Sequence, residues 1–239
     1  MNTFFTEIRQ TLAPGGDSPH GRLPPLLITM TVVTGLVDAY SYLVLGHVFV
    51  ANMTGNVAFL AFALVGTPGF STTASVAALG AFVVGAVAGG RVAAARVADR
   101  GRQLQVGAAV QSVFVASSVV LVVLSGSPPG TPWRYGLIAT LGVAMGVQNA
   151  TARQLAVPDL TTTVLTLTIT GIAADSAPGG GRGAHAGRRL VAVAAMFVGA
   201  LVGAVLIAHG QRAYPLAVAL ALMVAVVGAA RAGSPAPAA

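Results

Sequence analysis

Long apolar runs separated by short polar stretches follow one another along almost the whole chain. They lie at about residues 24–45, 48–66, 73–90, 106–125, 135–152, 161–174, 190–208 and 213–230. A helix needs about 20 residues to cross the hydrocarbon of a bilayer, and most of the eight runs have that length. The second run is interrupted by the polar stretch Asn-Met-Thr-Gly-Asn, and the sixth is short and rich in threonine. The pattern predicts an all-α, polytopic membrane helix bundle that forms a single transmembrane domain over residues 23–231.

Composition supports a membrane location. The chain has 55% hydrophobic and 8% charged residues, whereas a soluble domain carries about 25% charged residues. The net charge of +7 comes from 13 arginines and no lysine, set against six acids. A nucleic-acid interface would need a solvated basic face with interleaved aromatic residues, and the sequence has none. We therefore expect the lipid bilayer, and no nucleic acid, as partner.

The residue types that carry most enzyme chemistry are missing or scattered. The chain contains no cysteine, which excludes disulfides, thiolate metal sites and cysteine nucleophiles. Its four histidines show no metal-ligand spacing, and no Ser/His/Asp set can be assembled. The sequence therefore predicts no enzyme activity, no metal site and no cofactor.

The two termini are polar. Residues 1–22 have no apolar core followed by a cleavage site, which excludes a signal peptide, and are expected to form a flexible cytoplasmic tail. Residues 232–239 are expected to form a second, C-terminal tail.

Arginine placement favours six crossings over eight. If all eight runs cross with the N-terminus inside, seven arginines lie inside and six outside. If runs two and six are re-entrant or broken and return to the side they came from, 11 lie inside and two, Arg134 and Arg212, outside. Since loop arginines orient membrane proteins strongly toward the cytoplasm, we predict six crossings with both termini cytoplasmic.

An internal repeat agrees with this count. Val84-Gly-Ala-Val-Ala-Gly89 recurs as Val198-Gly-Ala-Leu-Val-Gly203, 114 residues later. Asp38-Ala39 matches Asn149-Ala150 at an offset of 111, and Thr54-Gly-Asn56 matches Thr166-Leu-Thr168 at 112. The halves, about 24–125 and 135–231, would each contain three crossings and would therefore be inverted. Inverted repeats in transporters place broken helices and the binding site near the midplane.

Asp38 is the first candidate site residue, because a carboxylate inside a membrane span is costly unless it is paired, hydrated or protonated. The Ser41 and Tyr42 hydroxyls, three and four residues later, could bond it. One interpretation is a proton- or cation-linked site, and the alternative is a structural carboxyl held by neighbouring hydroxyls.

Polar clusters in runs two, five and six supply the other candidates. They could open a helix towards a substrate or ion, or cap helices and bond backbone carbonyls. Together with Asp38, Ser41 and Tyr42, the predicted substrate-binding residues are Asn52, Thr54, Asn56, Gln148, Asn149 and Thr166.

Pairs of glycines four residues apart let helices approach closely. We expect them to pack the two halves together, with homo-oligomerisation as the alternative: Gly85, Gly89, Gly199 and Gly203.

Two stretches carry a resemblance to a known family. Residues 34–60, TGLVDAYSYLVLGHVFVANMTGNVAFL, and residues 146–171, GVQNATARQLAVPDLTTTVLTLTITG, resemble the YoaK family of bacterial multi-pass inner-membrane proteins, a family of unknown function. The resemblance extends over roughly residues 25–230 and implies a location in the bacterial cytoplasmic membrane. Family members often have a Thr-Gly pair after the QNA motif, but here Leu167 follows Thr166. The resemblance brings no substrate with it.

Three functions are compatible with these features. A small secondary transporter or channel for a small solute or ion would use Asp38 and the two amide-rich turns. A membrane scaffold or accessory subunit would transport nothing, and an intramembrane lipid enzyme would need a nucleophile or metal set that the sequence lacks.

Overall fold

The computed structural model describes residues 2–15, 18, 20–95, 99–126, 129–163, 165–175 and 185–232. Within these residues the chain is helical and the helices are joined by turns. The helices are α1 Asn2–Leu12, α2 Leu23–Val44, α3 Met53–Leu64, α4 Thr72–Ala94, α5 Arg100–Leu124, α6 Thr131–Leu155, α7 Leu165–Ala174, α8 Ala186–Ala208 and α9 Tyr214–Ala232.

Local sequence explains where several of these helices begin. Ser71 caps α4 by accepting a hydrogen bond from the Ala74 N–H at 3.3 Å. Asp99 caps α5 by accepting from the Arg102 N–H at 2.9 Å. Proline lies in the first turn of α2 and of α6, where a missing N–H removes no intrahelical hydrogen bond.

Five helices, α2, α4, α5, α8 and α9, are long and apolar enough to cross a membrane. Helix α6 has 25 residues, as long as α5, but contains several polar side chains. Helices α3 and α7 are apolar and have only 12 and ten residues. This architecture is that of a polytopic helical bundle, as the sequence predicts.

The order of helix lengths, long, short, long, long, occurs twice, in α2–α5 and in α6–α9. The packing follows the same order: α2 packs against α8 and α9, while α6 packs against α4 and α5. Each short helix packs on the long helix that follows it, α3 on α4 and α7 on α8, and α5 packs against α9.

Helices α2 and α6 run antiparallel. The side chain of Gln148, in the second half of α6, bonds Met30 in the first half of α2 and Thr34 at its middle. At the other end Arg134, near the start of α6, lies beside Gly46, just after α2. We call the end of the bundle where α2 begins the first face and the end where α2 finishes the second face.

The arginines are divided unequally between the two faces. Only Arg134 and Arg212, among the described arginines, lie at the second face. Those at the first face are Arg9, Arg22, Arg91, Arg100, Arg102, Arg153, Arg188, Arg189 and Arg231. Arg96 and Arg182 lie outside the described residues.

The N-terminal stretch differs from the flexible tail that the sequence predicted. Residues 2–12 form α1, which packs against α8. The Glu7 carboxylate accepts a hydrogen bond of 3.0 Å from the Gly187 N–H, an N–H in the first turn of α8 without an intrahelical acceptor. Of the expected C-terminal tail, residues 233–239 lie outside the described residues.

Candidate functional site

Asp38 lies in the second half of α2 and holds the connection between α2 and α3, residues 45–52, which we call the first entry segment. Its side chain is buried, with 3% of the residue exposed. Oδ1 accepts hydrogen bonds from the Val50 N–H at 3.2 Å and the Ala51 N–H at 3.0 Å. Oδ2 accepts from the Asn52 side-chain amide. One carboxylate therefore satisfies three donors just before α3 begins.

The Ser41 and Tyr42 hydroxyls were possible partners of the Asp38 carboxyl, but these two side chains have other contacts in the structure. Ser41 donates instead to the Asp38 backbone carbonyl, at 3.2 Å, and the Tyr42 ring stacks on Phe49 with 5.1 Å between ring centroids. A serine in a helix commonly bonds the preceding turn of its own backbone. The N–H groups that precede a helix lack intrahelical acceptors, and a carboxylate can accept several of them at once.

Asn56 completes the first entry segment by bonding both polar groups of one residue. Its Oδ1 accepts from the Phe49 N–H at 2.9 Å, and its Nδ2 donates to the Phe49 carbonyl at 2.5 Å. The Asn56 side chain is buried, whereas Thr54, two residues earlier, is exposed. Of this polar cluster, Asn52 and Asn56 thus face the segment and Thr54 does not.

After α3 the chain returns to the second face, where α2 ended. His47 Nδ1, just after α2, lies 3.1 Å from the carbonyl oxygen of Gly69, just before α4. The Phe59 ring, within α3, packs against those of Tyr42 and Phe70, with centroid separations of 6.0 and 5.2 Å. Since α3 starts beside Asp38 and its connection to α4 lies at the second face, the first entry segment and α3 form a hairpin open to that face.

The second half contains a related arrangement. The connection between α6 and α7, residues 156–163, is the second entry segment. Asn149 donates to the Met145 carbonyl at 2.9 Å, and its Oδ1 accepts from the Thr163 hydroxyl at 2.5 Å. Thr163 follows Asn149 by 14 residues, as Asn52 follows Asp38. In both halves a polar side chain on a long helix therefore bonds a polar side chain at the end of the entry segment.

The second entry segment is also anchored by ion pairs at the first face. Arg189, at the start of α8, contacts Asp159 in the segment at 2.8 Å and Asp175 just after α7 at 2.5 Å. The hairpin of this segment and α7 therefore opens towards the first face, opposite to the hairpin of the first half.

Gln148 joins three long helices at the centre of the bundle. Its side chain is fully buried, at 0% exposure. Nε2 donates to the Met30 carbonyl at 3.2 Å and to the Thr34 hydroxyl at 2.7 Å. Oε1 accepts from Gln111 Nε2 on α5 at 2.6 Å.

These contacts fall into three separate sets of hydrogen bonds: Asp38 with Asn52, Gln148 with Thr34 and Gln111, and Asn149 with Thr163. Thr34 is one helical turn before Asp38, and Gln148 adjoins Asn149 in the chain, so the three sets lie near one another along α2 and α6. We call them together the buried polar belt. The belt consists of Asp38, Asn52, Thr34, Gln111, Gln148, Asn149 and Thr163. Gln111 and Thr163 were not among the predicted site residues, although Gln111 is an amide within an apolar run, the signal that identified Gln148. The predicted Thr166 is exposed.

A cleft of about 450 Å³ leads from the first face towards the belt at Asn149. Arg153 and Ala156, at the first-face end of α6, and Thr161 of the second entry segment line it. Phe82 and Ala86 of α4 close its other side.

A second first-face cavity, of about 460 Å³, contains His20 and Arg100. Partial burial, and then the nearby charges of Arg100 and Arg188, lower the pKa of His20 below its ordinary value. Among the described residues no three His, Asp or Glu side chains lie together as a metal site would require.

The four glycines lie at close crossings between the halves. A Cβ on Gly85 would stand 2.1 Å from the Val143 carbonyl oxygen of α6, and one on Gly199 would stand 2.1 Å from that of Val32 on α2. One turn further on, Gly89 approaches Val147 and Gly203 approaches Ala39.

Comparison with known proteins identifies relatives but no activity. The family model described as "Protein of unknown function (DUF1275)" matches residues 26–229. The "UPF0700 transmembrane protein YoaK" of Bacillus subtilis (strain 168) is 30% identical over 152 residues, which cover 63% of this chain and 65% of that protein, less than two thirds of its length. No solved structure matches the chain.

Proposed function

The chain belongs to the DUF1275 family of proteins of unknown function, and from that premise we propose that this membrane protein is a small secondary transporter or channel for a small solute or ion. We propose that the fold is an inverted repeat with re-entrant hairpins and that transport passes through the buried polar belt. The buried polar belt is the observation that carries the proposed transport function.

The proposed fold assigns six crossings to α2, α4, α5, α6, α8 and α9. Helices α3 and α7, with 12 and ten residues, are too short to cross at about 1.5 Å per residue. The repeated order of lengths supports two halves, and the antiparallel course of α2 and α6 supports their inversion. The opposite openings of the two hairpins are what such an inversion requires.

The division of the arginines supports an orientation. Nine described arginines lie at the first face and two at the second, and arginine-rich ends of membrane proteins face the cytoplasm. We therefore propose a bacterial inner-membrane protein whose first face, with α1 and the end of α9, is cytoplasmic.

The proposed transport function rests on the difference between Asp38 and Asn149. The two residues occupy related places, and a neutral amide is sufficient for the bonds made by Asn149. An ionisable group costs about 2.5–3.5 kcal/mol at the centre of a membrane helix, and acids at such depth commonly mark ion or proton paths. The cleft at Asn149 supplies a route to the belt from the first face. We propose that Asp38 couples the movement of a proton or cation to that of the solute.

A scaffold or accessory subunit is the alternative function. The fact that favours it is the hydrogen-bond satisfaction of Asp38, since three donors can make a carboxyl purely structural. An intramembrane lipid enzyme is less favoured, because the belt consists of one acid, amides and hydroxyls and offers no activated nucleophile. We accordingly propose that the protein is not an enzyme.

The test is transport by the purified full chain in proteoliposomes on a solid-supported membrane. Currents are recorded on steps of pH and on steps of phosphate, succinate, leucine and choline. Wild type is expected to respond to at least one step, and Asp38→Asn is expected to lose about 90% or more of that current, as removal of a proton-transfer group commonly costs a hundredfold in rate. The control Asp99→Asn removes an acid at the first face while leaving a residue type that still caps α5.

Two outcomes contradict the proposal. One is a wild-type record identical to that of empty liposomes for every step. The other is a current that Asp38→Asn leaves at its wild-type size. A third variant, Asp38→Glu, keeps the carboxyl and distinguishes loss of the ionisable group from a general disturbance of the first entry segment.

A further inference from the structure

A cavity at the second face lies outside the belt and has a composition of its own. It encloses about 340 Å³ between the ends of α2 and α5 and the connection from α8 to α9. Tyr40 and Val44, one turn apart on α2, form one side, and the end of α5 forms another. The connection before α9 supplies the polar residues Gln211, Arg212 and Tyr214.

Tyr40 is the feature that indicates a ligand. The residue is completely buried, at 0% exposure, and its hydroxyl has no hydrogen-bond partner among the described residues. Arg212 lines the same cavity as Tyr40. Buried polar groups are nearly always hydrogen-bonded, and an unpaired one costs about 1–3 kcal/mol. A ligand oxygen that accepts from Tyr40 would remove this cost.

The polar groups around the cavity suit an anion. The Arg212 guanidinium offers a fork of N–H donors that matches phosphate geometry, and the Gln211 amide and the Tyr40 hydroxyl can donate as well. The 19-residue helix α9 begins at this point, and the N-terminus of a helix carries partial positive charge. The cavity lining among the described residues contains no carboxylate.

The rest of the lining is apolar, which indicates that the anion carries an organic part. Val44, Val122 and Val123 form this wall. The volume of about 340 Å³ is at the lower end of the range for small-molecule sites and exceeds what a lone oxyanion needs. We propose that this cavity binds an organic phosphate ester, with the phosphate at Arg212 and Tyr40 and the carbon part against the valines.

The cavity lies where two long apolar helices end, so two kinds of molecule could supply the phosphate ester. One is the phosphate of a phospholipid headgroup in the adjacent leaflet, and the other is a soluble phosphate ester. The site is independent of the transport proposal, because its residues are separate from the belt.

The experiment is thermal unfolding of the purified full chain in a non-ionic detergent, titrated with two phosphate esters. Glycerol 1-phosphate represents the soluble source and dioctanoyl phosphatidylglycerol the lipid source. Glycerol and dioctanoylglycerol are the phosphate-free counterparts. A ligand that binds the folded protein raises the unfolding temperature in a saturable way.

Two variants remove one donor each, and each has a matched control at the same face. Arg212→Gln is compared with Arg134→Gln, which removes the other described second-face arginine. Tyr40→Phe is compared with Tyr135→Phe, which deletes a hydroxyl outside the cavity. In the wild type the Tyr135 hydroxyl bonds Thr73 at 2.6 Å. Tyr40→Phe deletes an oxygen that has no hydrogen-bond partner among the described residues, so the folded state should survive it.

We expect a saturable rise for wild type and both controls, with the apparent affinity lowered about tenfold or more in Arg212→Gln and Tyr40→Phe, as for loss of one charged hydrogen bond. A response to either ester, or to both, supports the site, and a response to only one of them identifies its source. The proposal is overturned if neither ester gives a saturable rise, if the phosphate-free compounds act equally, or if the cavity variants respond like their controls.

Discussion

The bond between Asp38 and Asn52 can be tested by exchanging its two partners. Asp38→Asn keeps one side-chain oxygen for the Val50 and Ala51 N–H groups, but its new amide group would face the Asn52 amide, donor against donor. Asn52→Asp instead places a second carboxyl against the first. When both changes are combined, the amide introduced at position 38 can donate to the carboxylate introduced at position 52. The hydrogen bond then returns with its direction reversed.

The structure allows the size of each effect to be worked out. A hydrogen bond to a charged group contributes about 1.5–3 kcal/mol, and Asp38 loses one of three such bonds in the single variant. In a chain of this length 1 kcal/mol corresponds to about 2–4 °C in the unfolding temperature. Asp38→Asn should therefore lower that temperature by about 3–12 °C. Asn52→Asp should lower it by at least as much, because like charges at hydrogen-bond distance repel.

The assay is thermal unfolding in detergent followed by far-UV circular dichroism, with Asp99→Asn as the control. The double variant should be less destabilised than the sum of the single variants, by about 1–3 kcal/mol of coupling energy. Additive single effects would refute the reasoning, because they would mean that positions 38 and 52 do not interact. A control shifted as strongly as Asp38→Asn would refute it too, since loss of any acid would then have the same effect.

Two further results are expected from the fold. On α4, Gly85→Ala should lower the unfolding temperature because its Cβ would stand 2.1 Å from a backbone oxygen of α6, and overpacking costs about 1–3 kcal/mol. A Cβ added at Gly80 would meet no atom within 4 Å, so Gly80→Ala should raise the unfolding temperature, because alanine favours a helix more than glycine does. Equal shifts of the unfolding temperature in the two variants would contradict the close crossing at Gly85. In the naturally cysteine-free chain, Thr67→Cys should react with a membrane-impermeant maleimide from outside intact cells, and Gly101→Cys only after permeabilisation. The reverse pattern would exclude the proposed re-entrant hairpin.

The positions of the helices were predictable because apolar runs of membrane length leave the backbone few alternatives to a helix. The eight runs read from the sequence correspond to α2–α9. What periodicity could not supply was α1, because residues 1–22 are polar overall. Its contact with α8 includes the hydrogen bond between the Glu7 carboxylate and the Gly187 N–H, two residues that lie 180 positions apart in the chain.

The candidate site was predictable in its residue types and not in its bonds. Asp38, Asn52 and Gln148 attract attention because polar groups are costly in apolar runs. Local spacing suggested Ser41 and Tyr42 as partners of Asp38, whereas the actual donors lie 12 to 14 residues away. Sequence spacing within a helix identifies only neighbours at i+3 and i+4. It cannot predict a hydrogen bond from a segment that leaves the helix and folds back onto it.

The related places of Asp38 and Asn149 show why an acid suits the first half. If the two entry segments offered the same donors, one type of side chain would serve both halves. The halves instead differ in donors: the first offers backbone N–H groups and an amide, and the second offers a hydroxyl. A carboxylate is thus matched to its three donors in the folded state, which accounts for its burial. It also means that any movement of the first hairpin away from α2 would leave the Asp38 carboxylate without these three donors. In the proposed transport mechanism that acid would then take up a proton or a cation, because an isolated charge is costly inside a membrane. The same three hydrogen bonds would thereby link opening of the hairpin to ion binding.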